Sequence, residues 1–165
     1  MIFALSDAPH AGARHRIEHA LQEGTRLVWE VLAAAPADAR VWAEVDVPPE
    51  GWIARLDRVD FPPGGVAYRH VHPGPGIRRL LHGELTIDRG DGAPRRYTAG
   101  DAWFEGADDP VLATASELED TAFVRVLLLP AEWAGKRTIR YVHPADEDKP
   151  RLQKATVLLE EPLRL

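Results

Sequence analysis

Two kinds of hydrophobic pattern run along the chain. Near the N-terminus, Asp7-Ala8-Pro9 has the form of a helix start, and Ala13, Ile17, Ala20 and Leu21 give an apolar stripe that Gly24 would close. One short helix between these signals is therefore expected, in an N-terminal extension of residues 1–24. From Thr25 onward the period drops to two. Leu27, Trp29 and Val31 interleave with Val28, Glu30 and Leu32, and Val41, Ala43, Val45 and Val47 interleave with Trp42, Glu44 and Asp46, as strands do. Pro48-Pro49-Glu50-Gly51 reads as a turn, Trp52 to Phe61 as a strand, and Pro62-Pro63-Gly64-Gly65 as its stop. Further strands are expected on both sides of a Pro73-Gly74-Pro75-Gly76 corner, then at Leu85–Ile87, Arg95–Tyr97, Ala102–Glu105, Val111–Ala115 and Thr121–Leu129. The tail adds Thr138–Val142, a proline-bounded acidic loop from Pro144 to Pro150, and a strand near Thr156–Leu159. Many short strands with closely spaced turns predict an all-β sandwich or barrel over residues 25–165.

With 165 residues, one ordinary domain is expected. No window approaches the roughly 18 apolar residues of a membrane span. The first ten residues lack a basic lead, an apolar core and a cleavage site, so the reading is a cytoplasmic protein. The net charge of −6 argues against nucleic acid as a partner, which needs a basic face. No cysteine is present, so disulfides and thiolate sites are excluded, and any metal would need histidine and carboxylate ligands.

The candidate chemistry gathers between Gly64 and Gly83. His70 and His72 stand two apart in a strand-like run, which puts both imidazoles on one face, and the glycine-proline corner turns the chain back past them. The spacing Gly64-x5-His70-x-His72-x3-Gly76-x6-Gly83 resembles the first motif of the cupin superfamily, Gly-x5-His-x-His-x3,4-Glu-x6-Gly, with glycine in place of the glutamate. The family's second motif, Gly-x5-Pro-x-Gly-x2-His-x3-Asn, aligns from Gly100 and keeps only that residue. Gly106, Asp108, Val111 and Ala115 fill its other positions. The resemblance covers about Val59 to Pro130. It implies a double-stranded β-helix, the jelly-roll barrel, in a single-domain protein that dimerises through terminal strands.

Cupins hold Fe, Mn, Ni, Zn or a similar divalent ion on three histidines and a glutamate. The resemblance carries over His70 and His72 and puts Gly76 and Val111 at the other two ligand positions, so an ion would be held weakly. Glu105 is a candidate third ligand, and as an ordinary edge carboxylate it would pair with an arginine. If Gly76 faces inward, alternation turns Arg78 inward as well. Its partner is then a protein carboxylate such as Glu105 or Asp101, or a substrate carboxylate or phosphate held bidentately. His82 is a candidate for the barrel rim and Trp103 for the pocket lining; surface and core packing are the plainer alternatives. His15-Arg16-Ile17-Glu18-His19 matches H-x-x-E-H, and on a terminal helix outside the barrel it reads as a solvated face. Two functions stay open, beside a purely structural dimer module whose barrel would be filled by side chains. One is a cupin that binds a small carboxylated organic molecule and acts on it as a metal-dependent oxygenase, isomerase or lyase. The other is a metal-free binding or sensory cupin.

Overall fold

The computed structural model describes residues 1–48 and 50–165. Pro49, in the turn expected at Pro48–Gly51, lies outside them. The N-terminal segment is a sheet, not a helix. Strands β1 (Ile2–Ser6), β2 (His15–Ala20), β3 (Arg26–Leu32) and β4 (Val41–Glu44) assemble in the order β2-β3-β1-β4. The apolar stripe of the expected helix was thin, and in β2 only Ile17 is buried, opposite Trp29 of β3. Pairing along a well-packed β3 outweighs a weak helical propensity. Gly24, expected as a helix stop, has φ +88° and closes the β2–β3 hairpin, with its N–H donating to the Leu21 carbonyl. The boundary expected after residue 24 therefore falls inside a hairpin, and sheet membership changes only after Glu44. As part of a strand, His15 and His19 share a face but stand about 13 Å apart, too far for one zinc ion.

The remaining strands form two five-stranded sheets that enclose the cavity. One contains β5 (Trp52–Phe61), β7 (Gly76–His82), β10 (Ala102–Glu105), β12 (Thr121–Pro130) and β14 (Lys154–Pro162), in the order β10-β7-β12-β5-β14. The other contains β6 (Val66–Val71), β8 (Glu84–Asp88), β9 (Arg95–Thr98), β11 (Val111–Ala115) and β13 (Arg140–Tyr141), in the order β13-β6-β11-β8-β9. This is the expected all-β, double-stranded β-helix architecture. Among the described residues, helix is confined to two three-residue 3₁₀ turns, and no helix is long and apolar enough to cross a membrane.

The two longest barrel strands, β5 and β12, pair from end to end. Their outward residues Ala54, Leu56, Val124, Val126 and Leu128 pack against Phe3, Leu5, Leu27 and Trp29 of the N-terminal sheet. The Trp29 Nε1–H donates across this seam to the Ile77 carbonyl at 3.1 Å. Because the outer face is covered, β12 is apolar nearly throughout, and the polar residue at its centre, Arg125, points inward.

Candidate functional site

The inward faces of the two sheets line a cavity of about 610 Å³. Its walls are mostly apolar, from Val59 and Phe61 of β5, Leu85 and Ile87 of β8, Val111 of β11 and Phe123 of β12. Trp103 of β10 lies between aromatic neighbours, stacked on Tyr97 at 4.5 Å and edge-on to Phe123 at 5.6 Å. One region of the wall is polar, and His70, His72, Arg78 and Glu105 all reach it.

Two local features aim these side chains. The first is a bulge in β6. His70 pairs with Val111 and Ala67 with Ala113, so three residues of β6 are spanned by two of β11, and both Ala67 and His70 face inward. The second is the linked pair Gly76 and Arg78. A Cβ on Gly76 would lie 2.5 Å from Leu127 Cδ2 and 2.8 Å from Arg78 Nη1. A side chain there would have to displace Leu127 and the guanidinium, which donates from Nη1 to the Gly76 carbonyl at 2.7 Å. Alternation places Arg78 inward as expected, with 1% of its surface exposed.

The charges inside the barrel are paired with one another. Arg78 Nη2 meets Glu105 Oε2 at 2.6 Å, and Trp103 Nε1–H donates to Glu105 Oε1 at 2.7 Å. Of the partners considered for Arg78, Glu105 is the one found, while Asp101 accepts from the Thr98 backbone N–H. Arg125 donates from Nε to Asp57 Oδ1 at 2.7 Å and from Nη1 to His72 Nε2 at 3.0 Å. Arg55 is tied to Glu160 at 2.5 Å and to the carbonyls of Lys136 and Trp133. Arg55, Asp57 and Arg125 did not emerge as site residues from the sequence. The signal was there: Arg125 interrupts the apolar run Ala122 to Leu129, and Asp57 sits opposite it in the ladder.

Hydrogen bonds settle the histidine tautomers. A guanidinium can only donate, so His72 Nε2 is an acceptor and Nδ1–H donates to Thr138 Oγ1 at 3.1 Å. A carbonyl can only accept, so the 2.7 Å contact from His70 Nδ1 to the Tyr68 oxygen puts the proton on Nδ1. Burial holds both rings neutral. It lowers the His70 pKa from 6.5 to about 4, and burial followed by the adjacent Arg125 keeps that of His72 well below its usual value. Burial also lowers Arg78 to about 10, opposed by Glu105, so the guanidinium stays charged at neutral pH. For Glu105, burial alone would raise the pKa; Arg78 and the Trp103 N–H outweigh it and hold the carboxyl below its usual range.

These donors do not fit a divalent cation. His70, His72 and Glu105 converge on one cavity, yet His72 Nε2 receives Arg125 and both Glu105 oxygens are engaged. Gly76 and Val111 offer no donor, and the guanidiniums of Arg78 and Arg125 are bonded to Glu105 and His72. Among the described residues, no group of three or more His, Asp or Glu is arranged to hold a metal ion. His82 is not part of the cavity. Strict alternation from Arg78 would turn it inward, but the register slips between Phe123 and Ala122, and His82 ends exposed, with its Nδ1 at 3.0 Å from the Asp120 carbonyl.

The cavity meets solvent along residues 135–139 and 151–157, which carry Lys136, Arg137, Arg151 and Lys154. Arg151 pairs with Glu147 at 2.8 Å and Arg137 lies over the Tyr141 ring at 5.4 Å. Among the described residues, Lys136, Arg137 and Lys154 have no carboxylate partner.

Residues 57–110 match the family model of the cupin domain. Among solved structures, the chain is similar to the polyketide cyclase RemF from Streptomyces resistomycificus, with 18% identity over 59% of this chain and 71% of that one, TM-score 0.46. It is similar to a cupin-like protein from Thermotoga maritima, with 17% identity over 56% and 69%, TM-score 0.46. It is also similar to the DMSP lyase DddQ from Ruegeria pomeroyi, with 24% identity over 55% of this chain and 44% of that one, TM-score 0.46. No curated protein matches the sequence.

Proposed function

We propose that this protein, whose residues 57–110 match the cupin-domain model, binds a small, carboxylated organic molecule in its cavity without a metal ion. The volume of about 610 Å³ suits a compact organic molecule, and apolar walls with Trp103, Phe61 and Phe123 suit a flat or aromatic body. The buried charges neutralise one another, so the interior favours a neutral group. The observation that carries the anionic part of the reading is the rim: on a chain of net charge −6, the cavity opens past three cations that lack carboxylate partners. Such a rim attracts an anion and places its charge where water still reaches it.

The same reading includes a homodimer, supported by β14. It is an edge strand, and Val157, Leu158 and Leu159 are exposed along it.

The test of ligand charge uses 2-naphthoate and its neutral amide as probes, followed by tryptophan fluorescence. Naphthoate is expected to bind about fivefold tighter at low salt, and the advantage should shrink as salt is added. It should disappear in the triple variant Lys136→Ala, Arg137→Ala, Lys154→Ala. Equal binding of acid and amide would overturn the anionic ligand.

A further inference from the structure

We propose that His70 sets the specificity of this cavity: its Nε2 is a fixed hydrogen-bond acceptor, and the ligand must bring an O–H or N–H donor to it. The inference rests on the cavity being the binding site and adds what the bound molecule must carry.

Two acceptors on residues lining the cavity have no partner among the described residues, Gln153 Oε1 on the rim segment and His70 Nε2 beside the paired charges. His72 Nε2 already receives Arg125, the Glu105 oxygens receive Arg78 and Trp103, and the Asp57 carboxylate receives Arg125. His70 Nε2 makes no hydrogen bond among the described residues, although the ring is only 5% exposed and lines the cavity. It also cannot change role. Its Nδ1 proton is held by the Tyr68 carbonyl, within the β6 bulge where the ladder to β11 is interrupted. The ring further packs edge-on against His72, centroids 5.0 Å apart at 83°, which restrains its rotation. The residue opposite it in the ladder is Val111, which offers no polar group.

A fixed acceptor beside apolar walls discriminates in a defined way. A ligand with a hydroxyl or amine at this point replaces the water it displaces, whereas one with an ether or a hydrogen there strands the lone pair. Combined with the basic rim, the ligand class is an anionic molecule with an apolar, flat body and a hydrogen-bond donor remote from its charge.

The experiment titrates three probes of one shape, 6-hydroxy-2-naphthoate, 6-methoxy-2-naphthoate and 2-naphthoate, into the wild-type protein and into His70→Phe. The hydroxy acid is expected to bind the wild type about tenfold tighter than the methoxy acid, and the preference should vanish in the variant. In parallel, the ¹⁵N resonance of His70 Nε2 in the wild type should move upfield with the hydroxy acid alone, while Nδ1 keeps its proton. That measurement decides the matter if His70→Phe does not fold. Equal affinities, a preference that survives in His70→Phe, or an unmoved Nε2 resonance would overturn the donor rule and leave the anion-binding cavity standing. Failure of all three acids to bind at millimolar concentration would overturn the cavity reading, and the donor rule with it.

Discussion

Replacing Arg78 by methionine tests the paired-charge interior. The substitution keeps an unbranched side chain of similar length and removes the guanidinium from a contact in which side-chain exposure is 2% for Arg78 and 6% for Glu105. Glu105 Oε1 would keep the Trp103 N–H, while Oε2 would lose its only charged partner at 2.6 Å. Breaking one side of such a buried pair costs about 3–5 kcal/mol, because the remaining charge has neither water nor a counter-ion. For a chain of this size that corresponds to a fall in Tm of about 6–20 °C. The deficit should also depend on pH. With Arg78 gone, burial acts on Glu105 nearly unopposed and raises its pKa above that of the unfolded chain, so folding takes up a proton and the deficit narrows as pH falls. Urea unfolding followed by circular dichroism measures the free-energy loss and its pH dependence, and thermal unfolding measures the fall in Tm. The double variant Arg78→Met, Glu105→Leu should recover most of the loss, since a well-packed apolar pair replaces a buried ion pair at little cost. A single variant within about 0.5 kcal/mol of wild type, or a double variant no better than the single, would refute the argument.

The wild-type protein should lose stability on mild acidification. His70 titrates at about 4 when folded and at 6.5 otherwise, so its contribution is complete above pH 6.5 and is lost as pH falls toward 4, by about 3 kcal/mol from this ring, with His72 acting in the same direction. A urea midpoint unchanged between pH 7.5 and 4.5 would contradict the buried neutral pair. For the proposed homodimer, light scattering is expected to give twice the chain mass, and Leu158→Lys on β14 should shift it to monomer; a wild-type monomer at about 100 µM would remove the dimer.

Much of the barrel could be read from the sequence, because period-two alternation and glycine-proline turns are local signals, and the spacing Gly64 to Gly83 fixed the relation of the histidine strand to its return. The inward direction of Arg78 followed from parity once the motif spacing had put Gly76 inward. What failed was decided by distant partners. Residues 15–20 carry a thin apolar stripe, and only β3 makes a strand of them. Ile2–Ser6 shows no alternation because every residue of β1 is buried, inside the N-terminal sheet. His82 was misplaced by a bulge, which shifts parity without altering composition. The Arg125–Asp57–His72 connection joins β12, β5 and the segment after β6, residues 68 and 53 positions apart, so no local pattern could have assembled it.

Arg78 and Arg125 engage Glu105 and His72, two of the three candidate metal ligands, and on this ground the cavity is proposed to work without a metal ion. Metal content of protein purified without chelator, and again after incubation with Fe(II) or Mn(II) under reducing conditions, tests it most directly. The account predicts less than about a tenth of an equivalent in both states, in the wild type and in His70→Ala, His72→Ala alike. Near-stoichiometric metal in the wild type that vanishes in the double variant would contradict it, and would favour the metal-dependent oxygenase or isomerase instead.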